Sequence, residues 1–459
     1  MIRCSMAQAA RWAGALGTSG DDATIHGVST DSRSIGPGSL FVPLAGPRFD
    51  GHGYVEEAVR KGAAASLWRS DVPNPPQGVP LIFVEDTLAA LQRLAAAYRR
   101  HMDVTVVGIT GSNGKTSTKD ILAGVLGVEG KTHKTRGNLN NHIGVPLTLL
   151  EMDGDERFAV VEMGMSAPGE IAQLAAIAQP QVGIITSVGH AHLEQMGSIE
   201  AIARAKWEIA CAIGDDGMLI YPGECALLRR LAAQSGVPTR TFGEQPGDDF
   251  RLTSFAQSAD GITFATADAG PLLLPMQGRH NARNALAAIV AARFLGLGMD
   301  AIAQGLRRVE PTGGRCQVYR AGDCTIIDDT YKSNPESVLA ALELLYGMPG
   351  RRKLFIMGDM VDMGADSPAL HRQIGAALDP ARLDAVYACG EETVHTISQA
   401  RQRFPEGRAR HFSDREGLLA ALREYVSMPG TVLVKASRAR HFEDIALWLR
   451  QCKEAGHEA

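Results

Sequence analysis

The sequence lacks the features that mark membrane proteins, disulfide scaffolds and general nucleic-acid-binding proteins. No stretch approaches the roughly 18 consecutive apolar residues of a membrane-spanning helix, so membrane insertion is not expected. The seven cysteines include no C-x-x-C pair, which predicts reduced thiols in a cytoplasmic protein and no structural zinc site. The 46 basic and 51 acidic residues give a net charge of −5, which argues against nucleic acid as a partner.

The composition is that of an ordinary folded protein with several domains. Hydrophobic residues make up 45% and charged residues 21% of the chain, which excludes wholesale disorder and low-complexity structure. At roughly 100 to 200 residues per domain, the length of 459 residues predicts two to four domains.

Changes in sequence pattern divide the chain into three predicted domains. Residues 1–84 carry short apolar runs between turns and predict a small α/β domain. Residues 85–312 alternate buried-type strands with helices, which predicts a mainly parallel sheet, with a small antiparallel sheet between 239 and 276. Residues 313–459 predict a doubly wound, Rossmann-like domain. The predicted fold class is therefore α/β, in three domains.

The N-terminal segment predicts a helix and not a signal peptide. Arg11 interrupts its apolar part, which a signal peptide would keep uncharged. Ser5 with Gln8 fits an N-terminal capping box, and Gly17 is predicted to end the helix.

The strongest local signal is the run GITGSNGKT at 108–116, between a predicted strand and a predicted helix. Glycines let backbone N–H groups turn toward phosphate oxygens, and the start of a helix adds a positive dipole end. Lys115 supplies a charge, and the Thr116 hydroxyl can bind magnesium. The common phosphate-loop pattern has glycine where this chain has Ile109. A chance glycine-rich turn is the alternative, but the strand and helix on either side favour a phosphate site.

Several polar residues follow predicted strands, where ligands of parallel sheets bind. Glu162 ends one strand and is a natural ligand for magnesium. His192 follows the next strand, and Lys206 lies further along, yet each taken alone is an ordinary solvated or capping residue. Residues 358–364 and 434–443 end two strands of the third domain and are also predicted to face a cleft.

Two asparagine-containing motifs complete the candidates. Asn281 and Asn284 are three residues apart on a predicted helix, so they can reach one ligand, although asparagine in a first turn is also a common cap. The run at 326–337 is a strand ending in two aspartates before a helix. There Asn334 and Pro335 can be simply the cap and the first helical residue.

In this order and spacing, the motifs resemble the Mur ligases, the ATP-dependent ligases of bacterial cell-wall synthesis, over nearly the whole chain. The family's loop has the same G-x-T-G-x-N-G-K-T form, so Ile109 is a family trait. The resemblance implies three domains, which hold a UDP-linked substrate, ATP and the amine to be added. The residues it implies for ATP are Gly108, Thr110, Gly111, Ser112, Asn113, Gly114, Lys115, Thr116, Ser117, Asn281, Asn284, Arg315, Asp329 and Tyr331.

The resemblance also implies two magnesium ions and a modified lysine. The implied metal ligands are Thr116, Glu162, His192 and Lys206, with Lys206 carbamylated by CO2. A lysine ammonium would repel magnesium, whereas its carbamate is an oxygen ligand. The residues implied for catalysis are Lys115, Glu162, His192 and Lys206.

Further motifs point to one subgroup of the family. The runs at 135–150, 328–335 and 358–367 resemble members that add D-alanyl-D-alanine to UDP-N-acetylmuramoyl-tripeptide, the last cytoplasmic step of the peptidoglycan precursor. The runs at 29–33 and 49–52 resemble the family's UDP-binding domain. A monomer is expected. The implied substrate contacts are Ser32, Arg33, Asp50, His52, Asn138, Asn140, Asn141 and Asn334.

Two positions depart from the family pattern, and other functions stay open. Members commonly show Y-N-A-N or Y-N-A-S where this chain has YKSN at 331–334, and glutamate at Asp362. Lys332 therefore adds charge near the expected dipeptide site. The alternatives are a sibling ligase, which either adds one amino acid to a UDP-muramoyl-dipeptide or is of the folylpolyglutamate type, a P-loop switch or motor, and a nicotinamide dehydrogenase. The D-N-P-R run is absent, which argues against the sibling ligase. No G-x-G-x-x-G run follows the strand CTIID, which argues against the dehydrogenase.

Overall fold

The computed structural model describes residues 1–47, 49–258, 260–350, 352–426 and 429–455. Three main β-sheets follow one another along the chain, each flanked by helices. This is the three-domain α/β architecture that the sequence predicts. Within the described ranges, no helix combines the length and the apolarity needed to cross a membrane.

The N-terminal domain contains short strands and a few helices. Its strands are β1 (Arg3–Ser5), β2 (Gly17–Ser19), β3 (Thr24–His26), β4 (Val28–Ser29), β5 (Leu40–Phe41), β6 (Ala45–Gly46), β7 (Phe49–Asp50), β8 (Ala65–Arg69) and β9 (Leu81–Val84). Its helices are α1 (Met6–Ala13), α2 (Val55–Arg60) and α3 (Thr87–Arg100). One sheet has the strand order β2-β9-β8-β5-β4, while β1 pairs with β3 and β6 with β7.

The first helix begins where the sequence predicts and ends earlier. Ser5 caps α1, and its hydroxyl accepts a hydrogen bond from the backbone N–H of Gln8 at 3.2 Å. The prediction that Gly17 ends the helix is wrong, because the chain already turns at Gly14, whose N–H bonds back into the last turn. Gly17 is instead the first residue of β2.

The middle domain alternates strands and helices around one long sheet. Its strands are β10 (Thr105–Thr110), β11 (Thr132–Lys134), β12 (Phe158–Glu162), β13 (Val182–Ile185), β14 (Met218–Pro222), β15 (Thr239–Gly243), β16 (Phe250–Ser258), β17 (Gly261–Thr266) and β18 (Leu272–Leu274). Its helices are α4 (Lys115–Leu126), α5 (Gly144–Leu150), α6 (Glu170–Ala178), α7 (Leu193–Met196), α8 (Ile199–Trp207), α9 (Ala226–Ala233), α10 (Arg279–Phe294) and α11 (Met299–Arg307). The strand order is β11-β12-β10-β13-β14-β15-β16-β17-β18.

The parallel part of this sheet is covered by helices on both faces. Every residue of β12 and β13 is buried, as the continuous apolar runs of the sequence predict. Alternate residues of a strand point to opposite faces. Val106 accordingly belongs to the hydrophobic cluster that includes Leu174 of α6, and Val107 to the cluster that includes Ile121 of α4 and Leu286 of α10.

The antiparallel strands predicted between 239 and 276 form and extend the parallel sheet. β16 pairs in parallel with β15 at Phe242 and Phe250, and the antiparallel pairs β16-β17 and β17-β18 follow. The small antiparallel sheet therefore continues the edge of the large one.

The C-terminal domain is the doubly wound unit that its sequence predicts. Its strands are β19 (Gln317–Ala321), β20 (Cys324–Asp329), β21 (Lys353–Met357), β22 (Ala385–Cys389), β23 (Ala409–Phe412) and β24 (Gly430–Lys435). Its helices are α12 (Pro335–Gly347), α13 (Ser367–Ala377), α14 (Thr393–Ala400), α15 (Arg415–Val426) and α16 (Glu443–Ala455). The order is β19-β20-β24-β21-β22-β23, and all pairs are parallel except β19-β20.

The chain that joins the middle and C-terminal domains is bonded to the middle of α4. The buried carboxylate of Asp120 accepts hydrogen bonds from the backbone N–H of Thr312 at 3.0 Å and from its hydroxyl at 2.7 Å. The last residues of β12, β20 and β24, which are Glu162, Asp329 and Lys435, all border one cavity. The carboxyl edges of the two sheets thus face each other across it, where ligands of parallel sheets bind.

Candidate active site

The cavity between the middle and C-terminal domains has a volume of about 1050 Å³. One wall comes from the middle domain, from loop residues 112–117, from Asn138, Asn140 and Asn141, and from Glu162 and His192. The other wall comes from the C-terminal domain and is formed by Arg315, Asp329, Tyr331, Lys332, Ser333, Glu336, Asp362, Lys435 and Arg438, among others.

The phosphate loop, residues 108–116, connects β10 to α4 and needs glycine at two positions. Gly111 has φ of 151° and Gly114 has φ of 85°. A Cβ atom on Gly111 would lie 1.9 Å from Oγ1 of Thr186, and one on Gly114 would lie 2.4 Å from Oδ1 of Asn284. Side chains at these positions are therefore excluded by contact as well as by conformation.

Hydrogen bonds with Ser187 hold the phosphate loop in place, and the side chain of Lys115 bonds back to the loop. The backbone N–H of Ser112 donates to the carbonyl oxygen of Ser187 at 3.0 Å, and that of Asn113 donates to the Ser187 hydroxyl at 2.8 Å. Nζ of Lys115 donates to the carbonyl oxygen of Gly111 at 2.7 Å. Burial lowers the pKa of Lys115, and the Glu162 carboxylate partly offsets this. An anion at the loop would stabilise the charged form of this lysine.

Glu162 is a buried carboxylate bound by two neutral donors. It is 2% exposed. The Thr116 hydroxyl donates to its Oε2 atom at 2.8 Å, and Nδ2 of Asn140 donates to its Oε1 atom at 2.8 Å. The first hydroxyl of α4 and the last carboxylate of β12 are thereby in contact, next to Lys115.

A group of nitrogen-bearing side chains lies beside this carboxylate. Nζ of Lys332 lies 3.0 Å from Nε2 of His192. Burial, followed by the nearby charges of Lys332, Lys115 and Lys206, lowers the pKa of His192 to about 3, so its imidazole is neutral at neutral pH. Burial, followed by the charge of Lys115, lowers the pKa of Lys332 to about 7.

Lys206 lies deeper than the others. It is 1% exposed and is not among the residues that line the cavity. Burial lowers its pKa, and the charges of Lys115 and Lys332 lower it further. A lysine with these surroundings favours the neutral amine, which is the form that acts as a nucleophile.

The C-terminal wall presents a guanidinium and a carboxylate, each with a partner. The guanidinium of Arg315 stacks over the ring of Tyr331, 4.0 Å from its centroid. Oδ2 of Asp329 pairs with the fully buried Nζ of Lys435 at 2.7 Å, and Oδ1 accepts from the backbone N–H of Cys316 at 3.3 Å. Both groups are therefore fixed in direction.

The start of α12 docks directly on the phosphate loop. Asn334 caps α12 by accepting from the backbone N–H of Ser337 at 3.0 Å. Its amide also forms a reciprocal pair with Asn113, in which Nδ2 of Asn113 donates at 3.1 Å and Nδ2 of Asn334 donates at 2.9 Å. Beside it, the Glu336 carboxylate contacts both the ring and the backbone N–H of His190. Asn334, predicted to contact substrate, is thus a helix cap and an interdomain contact, outside the residues that line the cavity.

Other predicted ATP residues divide between the cavity and the framework behind it. Asn284 lines the cavity, while Asn281 does not and instead accepts a hydrogen bond from Nδ2 of Asn284 at 3.0 Å. Gly108 and Thr110, which are the part of the 108–116 motif that lies in β10, are likewise outside the lining residues. Asn281, Gly108 and Thr110 therefore support the site without lining the cavity.

The residues predicted to bind UDP lie in the N-terminal domain, away from the lining of this cavity. Nδ1 of His52 lies 2.6 Å from Oδ1 of Asp50, and Nε2 of His52 accepts from the backbone N–H of Arg69 at 3.2 Å. Arg33 is exposed and pairs with Asp31 at 2.8 Å. Ser32, next to it, is buried.

Sequence reasoning missed three features of the site. It assigned no role to Lys435, although the strand it ends was predicted to face a cleft. It also left out Ser187, which holds the loop, and the contact between His190 and Glu336. These partners are far apart in sequence, so no local pattern pairs them.

Comparisons with known proteins identify the family. Residues 24–99, 109–292 and 314–438 match models described as the Mur ligase family catalytic domain, the Mur ligase middle domain and the Mur ligase glutamate ligase domain. A Bacillus subtilis (strain 168) protein named UDP-N-acetylmuramoyl-tripeptide--D-alanyl-D-alanine ligase is 40% identical, over 93% of this chain and 93% of that protein. The chain belongs to the Mur ligase family.

Solved structures of Mur ligases share the whole fold. MurF from Acinetobacter baumannii matches with a TM-score of 0.90 at 30% identity, covering 98% of this chain and 99% of that one. The MurF ligase of Thermotoga maritima in complex with ADP matches with a TM-score of 0.83 at 30% identity, covering 95% and 99%. The likeness therefore includes all three domains.

Two side chains of this site, those of Thr116 and Glu162, can hold one magnesium ion without modification. Magnesium takes oxygen ligands, usually from one or two carboxylates together with phosphate oxygens and water. The Glu162 carboxylate and the Thr116 hydroxyl, in contact at 2.8 Å and at the start of the phosphate loop, are such a donor set.

A second magnesium fits at His192 and Lys206 only if Lys206 is modified. His192 offers one neutral nitrogen, and the charges acting on Lys206 come from Lys115 and Lys332. Without a carbamate on Lys206, His192 and Lys206 offer magnesium no negatively charged ligand.

Proposed function

We propose that this Mur ligase joins D-alanyl-D-alanine to UDP-N-acetylmuramoyl-tripeptide at the expense of ATP, in the cytoplasm. The observation that carries the proposal is its similarity, over more than nine-tenths of both chains, to a relative named for that reaction. The full-length likeness to MurF structures supports it. The single-amino-acid ligase of the same family is the alternative.

ATP binds with its phosphates on the loop. The Thermotoga maritima structure in complex with ADP supports a nucleotide in this fold. Residues 112–117 receive the phosphates, with residues 108–111 supporting them, while Asn284, Arg315, Asp329 and Tyr331 contact the rest of the nucleotide from the cavity walls. Asn281 acts on the nucleotide through Asn284, to which it is bonded.

The reaction takes place in two steps. An oxygen of the tripeptide's terminal carboxylate forms a bond to the γ-phosphorus, the bond from that phosphorus to the bridging oxygen breaks, and ADP leaves with the electron pair. The dipeptide nitrogen then bonds to the acyl carbon of the resulting acyl phosphate. The carbon–oxygen bond to phosphate breaks, phosphate leaves, and the nitrogen loses a proton.

The residues of the middle domain reduce the repulsion between two anions. Lys115 lies on the loop, where its charge stabilises the phosphate oxygens as negative charge builds on them. Magnesium, held by Glu162 and Thr116, supplies further charge neutralisation when bound. The cavity closes over the reactants from both domains, which keeps water from the acyl phosphate.

Lys206 carries a carbamate. Its neutral amine forms a bond to the carbon of CO2, the electron pair of one C=O π bond moves to oxygen, and the nitrogen loses a proton, so that a neutral amine becomes an anionic oxygen ligand. With His192, the carbamate would hold the second magnesium. Carbon-13 NMR in labelled bicarbonate tests this, because a carbamate resonance is expected in the wild type and absent in Lys206→Arg. The same resonance in the variant would contradict the assignment.

The remaining proposed substrate contacts are assigned to the domains as follows. Residues 1–84, 85–312 and 313–459 act as the UDP-binding, ATP-binding and C-terminal ligase domains of a monomer. Ser32, Arg33, Asp50 and His52 contact the UDP end of the substrate. Asn138, Asn140 and Asn141 contact its peptide from the cavity wall.

The test is product formation with matched pairs of substrates. Magnesium-dependent phosphate release is measured with UDP-muramoyl-tripeptide, with D-alanyl-D-alanine, and with both, and the product is weighed by mass spectrometry. A parallel set offers UDP-muramoyl-dipeptide with lysine or diaminopimelate. Sustained release is expected only with tripeptide and dipeptide amine together. Product from the parallel set alone would assign the chain to the sibling activity.

A further inference from the structure

Lys332 lies on the C-terminal wall, and its side chain extends across the cavity to the middle domain. Its Nζ atom lies 3.0 Å from Nε2 of His192, which is hydrogen-bond distance. It lines the cavity together with Lys115 and Glu162. An amine of the C-terminal domain is thereby placed among the side chains that face the phosphate loop.

The backbone that carries Lys332 is anchored on both sides. Nζ of Lys435, fully buried, donates to the carbonyl oxygen of Lys332 at 2.7 Å and pairs with Asp329 at 2.7 Å. Two residues beyond Lys332, Asn334 forms the amide pair with Asn113 of the phosphate loop. A flexible side chain on a fixed backbone can change its partner without moving its anchor.

Lys115 and Lys332 bring two amines to this part of the cavity from its two walls. Of the carboxylates that act on Lys332, Asp362 and Glu162, Glu162 already accepts two hydrogen bonds. Two amines on facing walls favour an anion with several charged oxygens between them.

We propose that Lys332 is a further catalytic residue, which leaves His192 and donates to an oxygen of the phosphoryl group as it passes from ATP to the substrate carboxylate. The inference rests on the proposed ligase function. Lys332 supplies positive charge from the C-terminal domain, opposite Lys115, and cations on the transferred group accelerate phosphoryl transfer. The asparagine common at this position in the family offers no such charge.

A contact with the dipeptide's carboxylate is the other role open to this side chain. The position of Nζ beside His192 and facing Lys115 favours the phosphoryl group, because both of these residues belong to the phosphate-loop side of the cavity. The two roles differ in the kinetic constant that changes.

The test compares Lys332→Met, Lys332→Gln and Lys332→Arg with the wild type. Lys61→Met is the matched control, since Lys61 is an exposed lysine that directly follows α2 and pairs with Glu57. Near-UV circular dichroism and thermal melting check that each variant is folded. We expect Lys332→Met and Lys332→Gln to lower kcat about 100-fold, with KM for the dipeptide within about twofold of the wild type. Lys332→Arg is expected to recover most of the loss.

A binding measurement supplies a second readout without turnover. Calorimetry compares ADP with ADP plus aluminium fluoride, which imitates the transferred phosphoryl group, in the presence of magnesium. Lys332→Met is expected to bind ADP as the wild type does and the aluminium fluoride complex about 100-fold more weakly.

Two results would overturn the proposal. One is a raised KM for the dipeptide with unchanged kcat, which would assign Lys332 to that substrate. The other is wild-type kcat and wild-type affinity for the aluminium fluoride complex in Lys332→Met. An inactive wild type would refute the proposed function, whereas an active wild type with equally active variants would refute only the role of Lys332.

Discussion

The two walls of the cavity are built on different principles. On the middle-domain wall, the phosphate loop gains its shape from its own glycines and from the strand and helix at its ends. On the C-terminal wall, residues 329–337 are fixed by partners distant in the chain, such as Asn113 for Asn334 and His192 for Lys332. The first wall is completed within the middle domain, and the second exists only when the two domains meet.

This difference separates two kinds of functional residue. Substitutions in the loop should remove chemistry while leaving the domains together, because Lys115 makes its hydrogen bond within the loop itself. In the 329–337 segment, substitutions of Asn334, which joins the two walls, should weaken the assembly of the site first and the chemistry second. Four changes, in order of decreasing expected effect, separate these outcomes.

Lys115→Met is expected to have the largest effect. The loss of a charge beside the transferred phosphoryl group should lower kcat about 1000-fold. The melting temperature should stay close to that of the wild type, because the side chain bonds only to the carbonyl oxygen of Gly111. Initial rates and thermal melting measure both, with Lys61→Met as control. A variant with more than about a tenth of wild-type activity would remove Lys115 from the reaction.

Glu162→Gln tests the metal on the same wall. The amide keeps the shape of the carboxylate but not its charge, so the magnesium concentration that gives half-maximal activity should rise at least about tenfold. Titration of activity with magnesium, at a fixed excess of ATP, measures this. An unchanged magnesium requirement would mean that the metal binds elsewhere.

Asn334→Asp tests the contact between the walls. Aspartate can still cap α12 at Ser337, but it cannot donate to Oδ1 of Asn113. We expect kcat/KM for ATP to fall about tenfold and the free energy of unfolding to fall by about 1–3 kcal/mol, because the new carboxylate is buried and faces Oδ1 of Asn113. Denaturant unfolding and initial rates give the two quantities.

A double-mutant cycle with Asn113→Ala sharpens this result. The coupling between the two positions should be about 0.5–3 kcal/mol if the amide pair joins the walls. Additive effects would show that each residue acts alone, and the comparison of the two walls would then fail.

Arg33→Ala is expected to have the smallest effect on the fold. Its guanidinium is exposed, as is its ion pair with Asp31, so the melting temperature should not change measurably. KM for the UDP-linked substrate should rise a few-fold through the proposed contact, while kcat stays unchanged. A fall in kcat with unchanged KM would contradict a role in substrate binding.

The sequence predicts much of this molecule because most of its elements are specified locally. Continuous apolar runs predicted strands buried on both faces, and β12 and β13 are such strands. The motif at 108–116 predicted its own strand, loop and helix. The error at the first helix has a local cause too, since Gly14 turns the chain before Gly17 is reached.

The C-terminal wall was harder to predict, for a physical reason. Asn334 could be recognised as a helix cap, but its pairing with Asn113 depends on how two domains pack. In the same way, Lys435 could be predicted at a strand end, yet not its pairing with Asp329 on the neighbouring strand. Side chains that act across a domain boundary carry no pattern of their own in the sequence.

The central claim is that the two walls form one phosphoryl-transfer site. A crystal structure of the wild-type chain with magnesium and a non-hydrolysable ATP analogue tests this claim most directly. We predict the β- and γ-phosphates on the loop beside Lys115, a metal on Thr116 and Glu162, and Nζ of Lys332 within hydrogen-bond distance of a γ-phosphate oxygen. A nucleotide bound on the loop with residues 329–337 withdrawn from it would contradict the account.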